Sequence, residues 1–373
     1  MNGFREYWSS AFLSRGGALV CGSPCRFCER RKPVSRTALQ SVATKLMFAT
    51  FFAAALGHAE RHEYSRPLMG MAFRIIVHSE DEAKAMRASK LAFDRVAVLN
   101  QIMSDYEPKS ELSKLSNLAG SGKAAKISDE LCRVLHRAQT LASESDGAFD
   151  VTAGASIQLW RSARRMRRLP SRYVLDKAFK TVGFRRLKFD AENCTAELTD
   201  QGTRLDLGGI AKGYALDEAL AVLKKHGLRQ ALVSAGGDIV AGAAPAGKEG
   251  WRVALIGLRE EVKPEFLWLV NGAVATSGDL YQFLEVAGTR YSHIVDPRTG
   301  AALTEQRLVH VLAPDAITAD SLATAISVLG PSEGLRLITD DKRLGARIAF
   351  RGELGQVQVV ESPVFRAWPR PKK

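Results

Sequence analysis

DLGGIAKGYALD, residues Asp206 to Asp217, sets three glycines (Gly208, Gly209 and Gly213) and one lysine (Lys212) at the start of an apolar spacing that continues as a helix. Glycines at such a point let backbone approach a bulky group, and a helix start carrying a lysine favours an anion. The segment therefore reads as a phosphate-handling turn entering a helix. Its spacing matches neither GxGxxG nor GxxxxGK[ST], so neither the dinucleotide nor the P-loop arrangement is met.

Working outward, short apolar runs alternate with turn residues on the C-terminal side: Gln230 to Ala235, Ile239 to Ala241, Trp251 to Leu258, Phe266 to Val270 and Leu308 to Leu312. On the N-terminal side, Glu60 to Pro67 reads as a linker and Phe73 to Val77 as a strand. Ser79 and Glu82 have capping-box spacing ahead of a helix with Ala92, Val96, Leu99 and Met103 on one face. A second helix after Ser128 turns Leu131, Leu135, Ala138 and Leu141 or Ala142 inward, and SDYEPKSELSKLS between the two reads as a loop. Strands next to strands, with helices inserted irregularly, predict an α+β fold: a single large domain of mixed, mainly antiparallel sheets with inserted helices. RSARRMRRLPSR, Arg161 to Arg172, predicts a solvated helix face, with docking of a partner or of lipid headgroups as the other reading.

Asp320 and Thr324 lie four apart in a helix predicted from about Thr318 to Leu329, with Gly330 as its stop. They place a carboxylate and a hydroxyl on one face. Two hard oxygen ligands suit Mg²⁺, although an Asp near a helix start and a Thr in an Ala-rich helix also have a purely structural explanation. His293, beside the Asp-Pro turn of YSHIVDPRTG, is a candidate for proton transfer, with Asp279 of the SGD turn as the alternative.

The stretches MSDYEPKSELSKLS from Met103, GAFDVTAGA from Gly147, DLGGIAKG, ALVSAGGDI from Ala231, ATSGD from Ala275, YSHIVDPRTG from Tyr291 and TADSLATAISVLG from Thr318 come in a fixed order. Over roughly residues 66 to 355 the chain resembles the ApbE family, the FAD:protein FMN transferases. The resemblance implies a magnesium-dependent enzyme that splits FAD, places FMN on a Thr or Ser hydroxyl of an acceptor protein and releases AMP. It implies metal ligands at Asp320, Thr324 and the Gly209 carbonyl, and flavin contacts at Met69, Tyr106, Ala148, Phe149, Asp150, Asp206, Lys212 and Ile294. Tyr106 and Phe149 would cover a flat ring, Asp206 would accept from ribose or adenine, and Lys212 would neutralise the diphosphate. Where relatives carry a carboxylate, a Thr or a Pro, this chain has Ala323, Met71 and Ala155. Two further readings stay open: an FAD diphosphate hydrolase giving FMN and AMP, and a flavin-binding protein without turnover. DVTAGAS, Asp150 to Ser156, partly resembles an acceptor motif, which would make Ser156 a self-modification site; its place inside the flavin-pocket motif explains it better.

The chain has 373 residues, 46% hydrophobic and 25% charged, with a net charge of +13. Residues 1 to 45 carry eight Lys/Arg and two Asp/Glu, a charge of +6, and residues 46 to 59 carry none, which leaves +7 for the remainder. That remainder suits an anionic ligand or peripheral contact with an anionic membrane. No nucleic-acid-binding pattern accompanies the charge, so nucleic acid is not an expected partner. LMFATFFAAAL, residues 46 to 56, follows Lys45 and precedes Gly57-His58-Ala59, a signal-like arrangement with cleavage after Ala59. The expected divisions are an extension over 1–59, the transferase domain over 60–361 and a basic, Pro-rich, poorly ordered tail over 362–373. The exported protein would be periplasmic or in the cell envelope without a lipid anchor, and its acceptor an exported or membrane redox protein. Cys21, Cys25 and Cys28 have a C-x3-C-x2-C spacing, but Arg-rich sequence ahead of an export signal is the wrong setting for an iron–sulfur cluster. The other two cysteines, Cys132 and Cys194, could pair, but the apolar helical face around Cys132 favours an ordinary buried thiol.

Overall fold

The computed structural model describes residues 59–258, 264–352 and 355–371. The signal-like run and Cys21, Cys25 and Cys28 lie outside them. β1 (Glu60–Leu68) and β2 (Met71–Ser79) form a hairpin, followed by α1 (Glu82–Met103), α2 (Glu111–Asn117), β3 (Ala125–Lys126), α3 (Asp129–Glu144), α4 (Gly154–Met166) and α5 (Arg172–Phe179). Next come β4 (Leu187–Asp190), β5 (Thr195–Leu198), α6 (Ala211–Lys225), β6 (Ala231–Ala235), β7 (Asp238–Ala241), β8 (Trp251–Leu255), β9 (Glu265–Leu269) and β10 (Gly272–Gly278). β11 (Phe283–Val286), β12 (Thr289–Ser292), β13 (Val295–Asp296), β14 (Ala301–Ala302), β15 (Arg307–Ala313), α7 (Ala316–Arg336), β16 (Gly345–Arg351), β17 (Val357–Glu361) and α8 (Pro363–Arg366) complete the order.

Eight strands form one sheet in the order β1-β2-β6-β7-β10-β15-β16-β17, and every neighbouring pair is antiparallel. Its central strands are apolar at consecutive positions because both faces are covered. Val233, Ala273, Ala275 and Val311 point into the main core with α1, α6 and α7, whereas Leu232, Val274 and Leu312 point into a second core under the β8–β9 hairpin and Phe365. The antiparallel α+β architecture expected from the sequence is thus the one observed. The inward faces of α1 and α3 are also as expected.

Several local readings are corrected. The supposed linker is β1, paired with β2 from Glu60↔Ser79 to Leu68↔Met71; as an edge strand it is held through backbone and shows no apolar alternation. Because Ser79 is engaged in that ladder, the cap of α1 is Asp81, whose side chain accepts the Lys84 N–H at 2.8 Å. The stretch read as a loop contains α2, capped by Ser110. Cys132 and Cys194 form a disulfide with Cα atoms 5.4 Å apart, linking α3 to the β4–β5 turn, so Cys132 is buried but is not a free thiol. The tail carries α8, with Phe365 fully buried and the Trp368 indole donating to the Trp268 carbonyl at 2.8 Å. Gly330 (φ 79°) does interrupt α7, but Pro331 restarts it through Arg336, and Arg307 donates to the Ser327 and Val328 carbonyls left open at the break.

Candidate active site

The Asp206–Asp217 turn and α6 are pressed against α7, and the glycines are what permit it. A Cβ on Gly209 would stand 2.8 Å from Thr324 Oγ1, and one on Gly213 would stand 2.2 Å from the Ala316 carbonyl oxygen. Two of the three glycines therefore serve contact between helices, where the sequence suggested clearance for a ligand. Asp217 completes the contact: its two carboxylate oxygens accept the Ala316 and Ile317 N–H groups, both at 2.8 Å, at the start of α7.

This packing brings Lys212 to two acids. Its Nζ lies 2.6 Å from Asp320 Oδ1 and 3.0 Å from Asp238 Oδ2, while Asp320 Oδ2 accepts the Gly213 N–H and Asp238 Oδ1 the Thr276 N–H. Both carboxylates are buried. Burial opposes the charge on Lys212, but the two neighbouring carboxylates outweigh it and hold the ammonium above its ordinary pKa. Burial and the proximity of Asp320 push Asp238 up to about 6 although Lys212 pulls it down. Asp238 has no role in the sequence reading; its clue was the AGGD turn, where Gly236 and Gly237 adopt positive φ and aim the next residue back across the sheet.

One turn along α7 from Asp320, the Thr324 hydroxyl faces Gly209. The carboxylate of Asp320 and the hydroxyl of Thr324, one turn apart on α7, are hard oxygen donors that fit Mg²⁺, with the Lys212 ammonium now supplying the positive charge beside Asp320. No cluster of three or more His, Cys, Asp or Glu side chains occurs among the described residues, so such a cation would rely on phosphate oxygens or water for further ligands. Ala323 lies in the core rather than at this site.

A second group of charges borders the turn. Arg161 donates to Asp105 and, at 2.6 Å, to Asp206 Oδ2, and its guanidinium sits 4.7 Å from the centre of the Tyr106 ring. Asp206 also accepts the Gly208 N–H at 2.8 Å, and burial holds its carboxyl above the usual range despite Arg161. Arg161 is thus not part of a solvated face: the first turns of the basic run point into the site. Tyr106 remains 75% exposed, so most of its aromatic surface is accessible with Arg161 against the ring. Phe149, by contrast, is 4% exposed within the main core, so its ring is not available to cover a flavin and its neighbourhood would contribute backbone. Asp150 is buried and accepts from both the Thr152 N–H and hydroxyl, which makes it a local brace. Ala148 and Ile294 pack together with Val328, while Met69 (φ 48°) and Gly70 (φ 76°) form the β1–β2 turn. Ser156 is fully buried.

Asp279 is 3% exposed and accepts from Arg290 Nε at 2.9 Å, an ion pair that anchors the β11–β12 hairpin. His293 is partly accessible, with Nδ1 3.3 Å from the Gln282 carbonyl. A carbonyl partner requires Nδ1–H, which leaves the Nε2 lone pair free. Burial first, then the charges of Arg164, Lys212 and Arg161, push the imidazole down to about 4, so it is neutral at pH 7. A neutral imidazole, an oxygen cluster suited to a cation, three cationic side chains and an open aromatic ring are what transfer of a phosphoryl group from an anionic, aromatic ligand requires.

Residues 69–348 match the model of the ApbE family. The chain belongs to that family. As an ApbE-family member it is 32% identical over 316 residues to the FAD:protein FMN transferase of Treponema pallidum, covering 79% of this chain and 86% of the relative. It is 29% identical over 283 residues to the enzyme of the same name from Vibrio cholerae, covering 74% and 84%. Among solved structures, the flavin transferase ApbE from Vibrio cholerae superposes with a TM-score of 0.75 at 26% identity, covering 83% of this chain and 99% of that one. The ApbE protein of Thermotoga maritima gives 0.74 at 29% identity, covering 84% and 100%.

Proposed function

We propose that this ApbE-family chain is an FAD:protein FMN transferase: it moves FMN from FAD to a Thr or Ser hydroxyl of an acceptor protein and releases AMP. The observation that carries the reading is the junction of α6 and α7, where Lys212, Asp320, Thr324 and Gly209 meet close to the neutral imidazole of His293. Tyr106 offers its exposed face to the ring system, and Arg161, Arg164 and Lys212 offset the diphosphate charge. A magnesium ion held by Asp320, Thr324 and the Gly209 carbonyl would supply charge stabilisation at the phosphate oxygens. His293 Nε2 accepts the proton of the acceptor hydroxyl; the hydroxyl oxygen bonds to the FMN phosphorus as the bond from that phosphorus to the bridging oxygen breaks, and AMP leaves with the bridging oxygen. An imidazole held near 4 is a weak base, and an anionic diphosphate beside the same cations raises its basicity when substrate is bound. Asp279, committed to Arg290, is better suited to hold the hairpin next to His293 than to move the proton.

The reading includes export to the periplasm or cell envelope and an exported or membrane redox protein as acceptor. The Cys132–Cys194 disulfide supports this, since such bonds persist in oxidising compartments. The decisive experiment incubates the protein with FAD, Mg²⁺ and an envelope lysate and follows covalent flavin fluorescence on a denaturing gel together with AMP. New fluorescent bands with matching AMP are expected. AMP and free FMN without bands would mean hydrolysis, and neither product would leave a flavin binder.

A further inference from the structure

We propose that α4 and α5 form the docking surface for the acceptor protein and select one that carries carboxylates beside its reactive hydroxyl, an inference that rests on the transferase reading. Residues 161–180 contain eight Arg or Lys and a single acid, Asp176. Arg161 faces the site, and Arg164, half-buried, bears on both Tyr106 and His293. Beyond them Arg165, Arg167, Arg168, Arg172, Lys177 and Lys180 are exposed, so one ribbon of positive charge runs from the imidazole to the surface.

Charge alone would describe a solvated helix. Here it is interleaved with apolar side chains that the fold leaves uncovered: Met166 is 65% exposed and Tyr173 76%, with Val174 and Phe179 exposed beside them. α5 has no fully buried residue, and is held to the body through half-buried Leu169 and Leu175 against Trp160 and its neighbours. Trp160 in turn stacks on Tyr291, two residues before His293, with ring centroids 5.4 Å apart. Arg, Tyr and Met on a firmly mounted edge are the residue types enriched at protein interfaces, and single-sign charge at a rim steers and selects partners of opposite sign. An acceptor seated here delivers its hydroxyl to His293 from the α4 side.

The test uses two fluorescently tagged peptides, each with one central Thr, flanked by Asp in one and Lys in the other. Affinities are measured by anisotropy in the presence of FAD and Mg²⁺, and FMN attachment by mass spectrometry. Wild-type protein should bind the Asp peptide at least about ten-fold more tightly, with the advantage shrinking as salt rises. Arg165→Glu/Arg168→Glu/Arg172→Glu should abolish the advantage and leave FAD affinity, read by flavin fluorescence, unchanged. The corresponding triple Gln variant should reduce it partway, and stands in if the Glu variant does not fold. Equal binding of the two peptides, or an advantage that survives both variants, overturns the proposal. Loss of phosphatidylglycerol-vesicle binding in the variants, without peptide discrimination, assigns the face to a membrane and also overturns it. Charge-selective binding with no FMN on either peptide would instead refute the transferase reading, and with it the assignment of the surface to an acceptor. Transfer to both peptides at equal rates refutes the docking inference while leaving the transferase intact.

Discussion

His293 and Tyr106 divide the proposed chemistry between transition state and ground state. Proton transfer contributes only as the new bond forms, whereas stacking on a ring acts equally before and during reaction. His293→Ala should therefore leave FAD affinity nearly unchanged and cut turnover by about 10² to 10⁴. Tyr106→Ala should weaken FAD binding first and spare turnover at saturation. Flavin fluorescence titration paired with AMP release in the presence of acceptor separates the two; loss of FAD binding in His293→Ala with normal saturated turnover would make His293 a pocket residue. Arg161 adds a condition of its own, because it already pairs with Asp206 and lies against one face of Tyr106, so a ligand that takes either position exchanges those contacts.

At the level of elements, the site depends on how closely α6 approaches α7. Gly213→Ala would drive a methyl into the Ala316 backbone, and backbone at a capped helix start cannot yield as a side-chain end would. The expected result is a loss of about 1 to 3 kcal/mol of stability in urea denaturation. Turnover should fall and show a raised Mg²⁺ requirement, because Asp320 moves with α7. Wild-type stability in Gly213→Ala would show that the helices separate freely. The same contact shows what sequence could and could not reveal. The helix after Gly209, the strands around Val233 and Val311 and the inward face of α1 follow local periodicity, and so they were legible. β1 was not, because an edge strand draws its order from the partner's backbone. The purpose of Gly213, the second acid on Lys212 and the inward turn of Arg161 each depend on residues tens to more than 100 positions away, Asp238 on Lys212, Asp206 on Arg161 and Ala316 on Gly213, which no local pattern encodes.

Across the whole molecule, a buried histidine and a disulfide set the conditions under which the fold persists. His310 lies on β15 between Thr276 Oγ1 at 3.0 Å and the Ile256 carbonyl at 3.0 Å. The carbonyl takes Nε2–H, so Nδ1 accepts from the Thr276 hydroxyl and the ring is neutral. Burial pushes it down to about 4, with Arg347 adding to the shift, while the Ile256 carbonyl and Glu265 oppose it. Below the unfolded pKa of about 6.5 the unfolded chain takes up a proton that the folded chain refuses until about pH 4, so stability falls across that window by up to about 3 kcal/mol. Urea midpoints from pH 7.5 to 4.5 should show this loss, and His310→Gln should flatten it. The Cys132–Cys194 bond spans 62 residues, for which loop closure predicts about 4 kcal/mol. Reductant should lower the wild-type Tm and leave that of Cys132→Ala/Cys194→Ala unmoved; equal responses would place the effect elsewhere.

The complete burial of Ser156 has a practical side. A transferase whose own sequence contains a look-alike of its target would ordinarily contaminate any labelling assay with its own signal. Here the tempting hydroxyl is sealed on the inward face of the first turn of α4, so the folded catalyst is silent in its own detection channel. Fluorescence at the enzyme's own gel position, surviving in Ser156→Ala, would come from another hydroxyl; fluorescence abolished by that change would report the fraction of molecules that had opened. A blank lane from enzyme, FAD and Mg²⁺ alone thereby becomes a purity standard for the native state.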